Sequence, residues 1–184
     1  MPIDRALIRK TVGVYAETLK GSAPDEDAAF ALSGELEQIL STIRAHMELR
    51  DTLMDHTLPK IARQDILKEI FSDCDPAVLA VLAVMIERGD IHLLPQICER
   101  YVELVEEALD AIIIDVATVV ELDDRLRDMI KQKYSAQFGR SVLLREHIDP
   151  SLVGGIVLSA HGSRIDASVN SLLENARTVL AKQW

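Results

Sequence analysis

The hydrophobic pattern of this sequence changes once, at about Ala111. Before this point, apolar residues recur every three to four positions in one segment after another, which is the spacing of helices with one buried face. From Ala111 to Val120, six of the ten residues are isoleucine or valine, a density typical of a buried strand. We therefore predict a mainly α fold, with a six-helix bundle over residues 1–109 and a small α+β unit over residues 110–184.

Helix-breaking residues divide the first 109 positions. The segment Gly21–Pro24 ends the first helix, and a second apolar stripe begins after Asp25. That stripe is too long for one average helix, and we expect a break near Ser33-Gly34 or near Arg50-Asp51. The result is a series of short amphipathic helices that must pack on one another to bury their apolar faces.

The longest apolar run of the chain covers the ten residues from Ala77 to Ile86. A helix needs about 20 such residues to cross a bilayer, so this run predicts a buried helix of the bundle. The pair Asp75-Pro76 suits its first turn and Gly89 suits its end.

The C-terminal segment predicts a strand, a helix, two further strands and a last helix. Val142 to Ile148 and Ile156 to Ala160 have strand composition. Asp166 is placed to cap the last helix, whose apolar residues follow three-four spacing from Val169 to Leu180.

Composition excludes several classes of function. The chain has 20 basic and 30 acidic side chains, a net charge of −10, which disfavours binding to nucleic acid and to anionic lipid. Its two cysteines have no partner histidines at zinc-ligand spacing, and no pair of glycines is followed by a phosphate-binding motif. We expect no metal, no cofactor, no small-molecule substrate and no catalytic residue.

The nearest approach to a catalytic cluster is Ser159, His161, Ser163 and Asp166, which has the residue types of a nucleophilic triad. Residues this close along one strand and turn point in different directions, and no G-x-S-x-G elbow is present. A small hydrolase using Ser159 or Ser163 is the alternative that this cluster leaves open. The absence of a better site favours an interaction protein, since helical bundles commonly offer a groove to a partner helix.

Several C-terminal motifs occur in an order that resembles the ATP synthase delta family, whose mitochondrial counterpart is the oligomycin-sensitivity-conferring protein. They are a valine-rich stretch, an aspartate-proline pair, two glycines and an Ile-Asp-x-Ser-Val segment. The residues that carry these motifs here are Asp149, Pro150, Gly154, Gly155, Asp166, Ser168 and Val169. They are structural marks, because proline rigidifies a turn and glycines permit close packing.

The resemblance implies a non-catalytic stator subunit of the rotary proton-translocating ATP synthase, at the cytoplasmic face of the bacterial cell membrane. In the family, the N-terminal bundle binds the N-terminal helix of an alpha subunit between its first and fifth helices, and the C-terminal unit engages the b subunit. Membrane association would then come only through the complex. The positions that correspond to the alpha-binding groove are Ile8, Val12, Tyr15, Leu19, Val78, Leu82 and Met85.

The chain departs from the family pattern at Arg88-Gly89-Asp90. Many members have an arginine at the position of Asp90, so the contact that this arginine makes in relatives is not expected here. The remaining alternative is a helical adaptor of another complex, which would share the bundle without a reason to carry the C-terminal motifs together.

Overall fold

The computed structural model describes residues 5–160 and 163–181, with the backbone alone for residues 175, 176 and 179–181. The chain divides between Leu109 and Asp110 into two compact units, which we call the N-terminal unit and the C-terminal unit. A mainly helical chain with a small C-terminal sheet is confirmed.

Six of the eight α-helices in the described residues belong to the N-terminal unit. A short 3-10 helix, Ile91–Leu93, precedes the last of the six. The bounds are α1 Arg5–Ser22, α2 Glu26–Ala45, α3 Met47–Met54, α4 Lys60–Ile70, α5 Pro76–Arg88 and α6 Leu94–Leu109. Within the described residues, none of these helices combines the length and the apolar character that a bilayer span requires.

Local capping interactions set the ends of α2 and α5. The Asp25 carboxylate accepts a hydrogen bond of 2.7 Å from the Ala28 N–H, and the Asp75 carboxylate does the same for the Ala77 N–H. Gly89 ends α5 in the left-handed region at φ 81°. These groups satisfy backbone donors and acceptors that a helix end leaves without partners.

The predicted break in the second apolar stripe is wrong in position. Helix α2 runs through Ser33 and Gly34 without interruption, and His46 separates it from α3. Ser33 is buried, and its hydroxyl donates to the Phe30 carbonyl at 2.6 Å, so its polar group is satisfied inside the helix. A glycine in a helix costs about 1 kcal/mol relative to alanine, which the burial of the neighbouring apolar residues outweighs.

Helix α6 is the centre of the N-terminal unit and packs against both α1 and α2. Its buried face is Leu94, Ile97, Cys98, Tyr101, Leu104 and Val105. The Tyr101 hydroxyl donates to the Ala29 carbonyl at 3.0 Å, so this large side chain is buried with its polar atom satisfied.

The C-terminal unit is a four-stranded sheet with two helices. The strands are β1 Ala111–Thr118, β2 Ser141–Ile148, β3 Gly155–Ala160 and β4 Ser163–Ser168, and the helices are α7 Asp124–Phe138 and α8 Val169–Ala181. The strand order is β2-β1-β3-β4, with β1 parallel to β2 and the other two pairs antiparallel. Helix α7 makes the crossover that a parallel pair requires.

One face of this sheet and α7 share an apolar core. It consists of Ile112, Ile114, Val116, Leu122, Ile130, Tyr134 and Val142. Asp123 caps α7 by accepting a hydrogen bond from the Leu126 N–H, and Gly139 ends the helix at φ 68°. On β1 and β2, the Arg145 guanidinium forms a two-pronged ion pair with the Asp115 carboxylate of the register-matched position.

The sequence predicted three strands where the described residues contain four. Residues 163–168 were expected to form a turn and a helix cap, but they pair with β3 as an edge strand. Five of its six residues are exposed, so the strand has no alternation of buried and exposed residues from which it could be recognised. The predicted turn residues His161 and Gly162 lie outside the described residues.

Two buried tyrosines provide a matched test of this packing. Tyr101→Phe removes a satisfied hydrogen bond and is expected to lower the free energy of unfolding by about 1 kcal/mol. The Tyr134 hydroxyl is buried without a hydrogen-bond partner among the described residues, so Tyr134→Phe is expected to be neutral or stabilising. Urea unfolding of both variants and the parent measures the difference, and a larger loss in Tyr134→Phe than in Tyr101→Phe would contradict it.

Candidate partner-binding surfaces

The residues predicted to line the groove between the first and fifth helices are mostly in the core. Six of the seven are buried inside the N-terminal unit, and Ile8 is half-buried. The buried members are Val12, Tyr15, Leu19, Val78, Leu82 and Met85. Their assignment as partner contacts remains a prediction. Because they are buried, a partner would have to contact the more exposed neighbouring residues before it could reach them.

A second row of residues on α1 lies beside the buried stripe. Leu7, Thr11, Val14 and Thr18 follow i, i+4, i+7, i+11 spacing, so their side chains share one face of the helix. The side chain of Leu7 is 62% exposed and that of Val14 is 55% exposed. The Thr18 hydroxyl donates to the Val14 carbonyl at 2.7 Å and is satisfied within the helix. This row is an exposed and largely apolar surface.

Helix α5 carries a row with the same spacing, Ala77, Val81, Val84 and Arg88. Ala77 and Val81 are half-buried, and Val84 is 43% exposed. Helix α5 also contacts α4, where the Gln64 side chain donates to the Ala83 carbonyl at 2.9 Å.

The two rows are brought together at one end by Tyr15 and Asp90. The Tyr15 hydroxyl donates to the Asp90 carboxylate at 3.0 Å, and α1 contacts α5. Burial raises the pKa of the Tyr15 hydroxyl, the Arg88 guanidinium opposes this shift, and the Asp90 carboxylate adds to it. Asp90 thus has a defined structural role in this chain. We name the two rows together the α1/α5 groove.

The family resemblance pointed to α1 and α5, which stays a prediction, and the sequence analysis did not separate the exposed rows of these helices from their buried stripes. The missed residues are Leu7, Val14, Val81 and Val84. A signal was present, because the apolar residues of α1 and α5 cover a wider arc than one packing interface needs. The buried stripe dominates the periodicity, and the second row is offset from it by one position.

In the C-terminal unit, the family-motif residues between Asp149 and Gly155 and between Asp166 and Val169 form one local structure. The Asp149 carboxylate accepts hydrogen bonds from the Ser151 N–H at 2.9 Å and from the Ser151 hydroxyl at 2.6 Å, which lower the pKa of Asp149. The Asp149 N–H donates to the Thr118 carbonyl at 2.8 Å. This turn, with Pro150 in it, fixes the connection from β2 to β3 at the end of β1.

The glycine pair allows β4 and α8 to approach this connection closely. A Cβ on Gly155 would lie 2.3 Å from the Ala167 carbonyl oxygen, and Gly155 has a φ of 87°. A Cβ on Gly154 would lie 3.2 Å from the Val169 side chain. The Val169 N–H donates to the Gly154 carbonyl at 2.9 Å, so the first residue of α8 is bonded directly to this loop.

Asp166 does not cap the last helix, as the sequence predicted. It lies in β4 opposite Val157, and its carboxylate accepts hydrogen bonds from the Ser168 N–H and hydroxyl, which lower the pKa of Asp166. Ser168 is the residue that caps α8, since its side-chain oxygen accepts from the Ser171 N–H at 3.2 Å. Asp166 therefore positions the cap. The sequence analysis placed both residues in one motif but assigned the cap to Asp166 and no separate role to Ser168.

Helix α8, which these contacts hold at its first turn, has an exposed apolar surface near its start. Leu172 is 63% exposed and Leu173 is 62% exposed, and Val169 precedes them. The predicted apolar positions Ala176, Val179 and Leu180 have side chains outside the described set. We name Leu172 and Leu173 the α8 surface.

The serine and aspartate residues of the possible triad have other contacts. Ser159 pairs with Arg164 and Ala160 with Ser163 in the hairpin, and the Asp166 carboxylate is bonded to Ser168. His161, which the triad would need as its base, lies outside the described residues. Among the described residues, no group of three or more histidine, cysteine and acidic side chains is arranged to hold a metal ion.

The family model described as ATP synthase delta (OSCP) subunit matches residues 12–180 of this chain. The chain belongs to this family. The resemblance inferred from the motifs is confirmed. Members of the delta family are subunits of the ATP synthase peripheral stalk. They are structural subunits.

Relatives of the delta family match nearly the whole chain. The ATP synthase subunit delta of Prochlorococcus marinus (strain MIT 9515) is 31% identical over 178 residues, covering 96% of this chain and 99% of the relative. That of Rubrobacter xylanophilus is 25% identical over 173 residues, covering 94% and 97%. A chain of the Toxoplasma gondii mitochondrial ATP synthase hexamer has the same fold, with a TM-score of 0.52 and 16% identity over 92% of this chain and 97% of that chain.

Two of the three left-handed glycines among the described residues, Gly139 and Gly155, allow a controlled test of the close approach in this delta-family chain. Gly155→Ala adds a backbone clash to an unfavourable φ and is expected to lower the free energy of unfolding by about 3 kcal/mol. Gly139→Ala has the same backbone problem with no atom within 4 Å of the new Cβ, and is expected to cost about 1 kcal/mol. Chemical unfolding compares the two, and equal losses would show that the close approach is unimportant.

Proposed function

We propose that this chain is a non-catalytic stator subunit that links an alpha subunit of the catalytic head to the b subunit of the peripheral stalk. It would thereby hold the head against rotation and support proton-driven ATP synthesis. The observation that carries the proposal is a pair of exposed apolar surfaces, one in each compact unit of a delta-family chain. A linker needs two such surfaces, whereas an adaptor with one partner needs a single one.

The occupant of the α1/α5 groove in this proposal is the N-terminal helix of an alpha subunit. The rows on α1 and α5, each with i, i+4, i+7, i+11 spacing, suit an amphipathic helix, which binds through one apolar face. The buried stripe beneath the rows, including Val12 and Leu82, supports the groove from the core. Partner contact would come first through Leu7, Val14 and Val84.

The occupant of the α8 surface in this proposal is the b subunit. Leu172 and Leu173 stand out from a helix whose first turn is fixed by Ser168 and Gly154. Because the start of α8 is bonded to the sheet, a force applied at the α8 surface would pass into the C-terminal unit. The chain would lie at the cytoplasmic face of the bacterial cell membrane, held there through the complex.

Ion pairs inside the C-terminal unit suit a subunit that would have to resist torque. In the C-terminal unit, Arg145 clasps Asp115 across β1 and β2, and Arg127 of α7 donates to the Glu146 carboxylate of β2 at 2.7 and 3.0 Å. These two-pronged pairs connect neighbouring elements with fixed geometry.

Two moderate contacts on one chain also bind far more tightly together than either does alone, because the second becomes intramolecular.

A charge placed on an exposed groove wall tests the alpha-subunit contact. Val14→Glu in the full chain is expected to weaken binding of a synthetic peptide, the N-terminal twenty or so residues of the same organism's alpha subunit, by about tenfold or more. Ile61→Glu, at an apolar position on α4 that is more exposed than Val14, is the control and is expected to have no effect. Calorimetric titration with circular dichroism of each variant gives both readings. A folded parent that binds no peptide would overturn the groove assignment.

A double substitution tests the b-subunit contact. Leu172→Glu with Leu173→Glu is expected to reduce retention of the soluble part of the same organism's b subunit by about tenfold, because two carboxylates would enter an apolar interface. Met129→Glu, an exposed apolar position on α7 of the same unit, is the control. Retention that is the same in the double variant, the control and the parent would place the b contact elsewhere.

A further inference from the structure

Arg88 is the one charged residue among the eight that form the α1/α5 groove. The other seven are Leu7, Thr11, Val14, Thr18, Ala77, Val81 and Val84. It is exposed, and it lies at the end of the groove where Tyr15 bonds Asp90. Arg88 lies in a unit that is acidic as a whole, since residues 1–109 contain 11 basic and 20 acidic side chains, a balance of −9.

The Arg88 guanidinium lies within hydrogen-bonding reach of the Tyr15 hydroxyl, so its partner inside the N-terminal unit is a neutral group. Asp90 accepts the Tyr15 hydroxyl, and within the described residues Arg88 makes no ion pair. The C-terminal end of a helix attracts cations, which accounts for an arginine in the last turn of α5. It does not account for its place in the groove row, in line with Val81 and Val84.

We infer that Arg88 pairs with a carboxylate on the helix that fills the α1/α5 groove, and so fixes where along the groove that helix sits. The inference rests on the proposed function, since it concerns the same groove. An apolar row allows a bound helix to slide by one turn with little change in the area it buries. A single ion pair at one end penalises every register but one, which is how charges at helix interfaces set specificity. The occupant is therefore an amphipathic helix with an acidic residue toward one end of its apolar face.

The test uses the full chain and the alpha-subunit peptide defined above. Arg88→Glu is expected to weaken peptide binding about tenfold, and Arg88→Gln by a smaller factor. Added salt should weaken binding less in Arg88→Gln than in the parent, and in Arg88→Glu it should relieve the repulsion at this contact and so partly restore binding. Arg44→Glu is the matched control, because Arg44 is also exposed in the last turn of its helix, on α2 outside the groove. Both substitutions oppose the helix dipole equally, so circular dichroism and unfolding should report similar stabilities.

A charge exchange identifies the partner carboxylate. Each acidic residue of the peptide is replaced by lysine in turn, and one replacement is expected to bind Arg88→Glu more tightly than it binds the parent chain. Equal binding by Arg88→Glu and Arg44→Glu, or a peptide in which no exchange restores affinity, would overturn this inference while leaving the groove in place. Loss of peptide binding in the folded parent would instead overturn the proposed function and the inference with it.

Discussion

A helix in a bundle buries only the arc that faces its neighbours, and on α1 and α5 the apolar residues extend beyond that arc. Val12, Ala16 and Leu19 fill the arc of α1 that faces the core, where α6 is the central helix. Leu7 and Val14 are left on the adjacent face, in contact with water. Removing such residues from water on binding is worth about 25 cal/mol for each Å² of apolar surface. In the proposed stator, these additional exposed apolar residues would be the ones available to a partner helix.

The C-terminal unit depends on a different constraint, the distance between backbones at Gly155. Because a Cβ there would overlap the Ala167 carbonyl, only glycine lets β3 and β4 meet at this point. The start of α8 follows from that contact, since Ser168 lies opposite Gly155 and Val169 bonds to Gly154. The α8 surface is thus positioned by contacts within the C-terminal unit. This explains how a family motif can consist of structural residues and still report on function.

Local chemistry was the part of the fold that the sequence predicted well. Asp75-Pro76 and Gly89 act at helix ends through contacts within three or four residues, so their roles can be read without the fold. The strand β4 was missed because its pairing with β3 leaves no burial pattern on an exposed edge. Two neighbouring apolar rows on one helix have the same period, so the pattern predicted α1 and α5 as amphipathic helices without distinguishing their exposed rows from their buried stripes. Only the positions of the other helices decide that.

An apolar groove and a charged residue contribute differently to a contact that must carry load. The apolar rows supply affinity in proportion to the area buried, and they tolerate displacement along the groove. An ion pair contributes little affinity on an exposed surface, because water and salt screen it. It does change the energy steeply with position, since the guanidinium bonds only a carboxylate at the right distance. In the proposed stator, the apolar walls would therefore hold the partner helix, and Arg88 would keep that helix from shifting along the groove under torque.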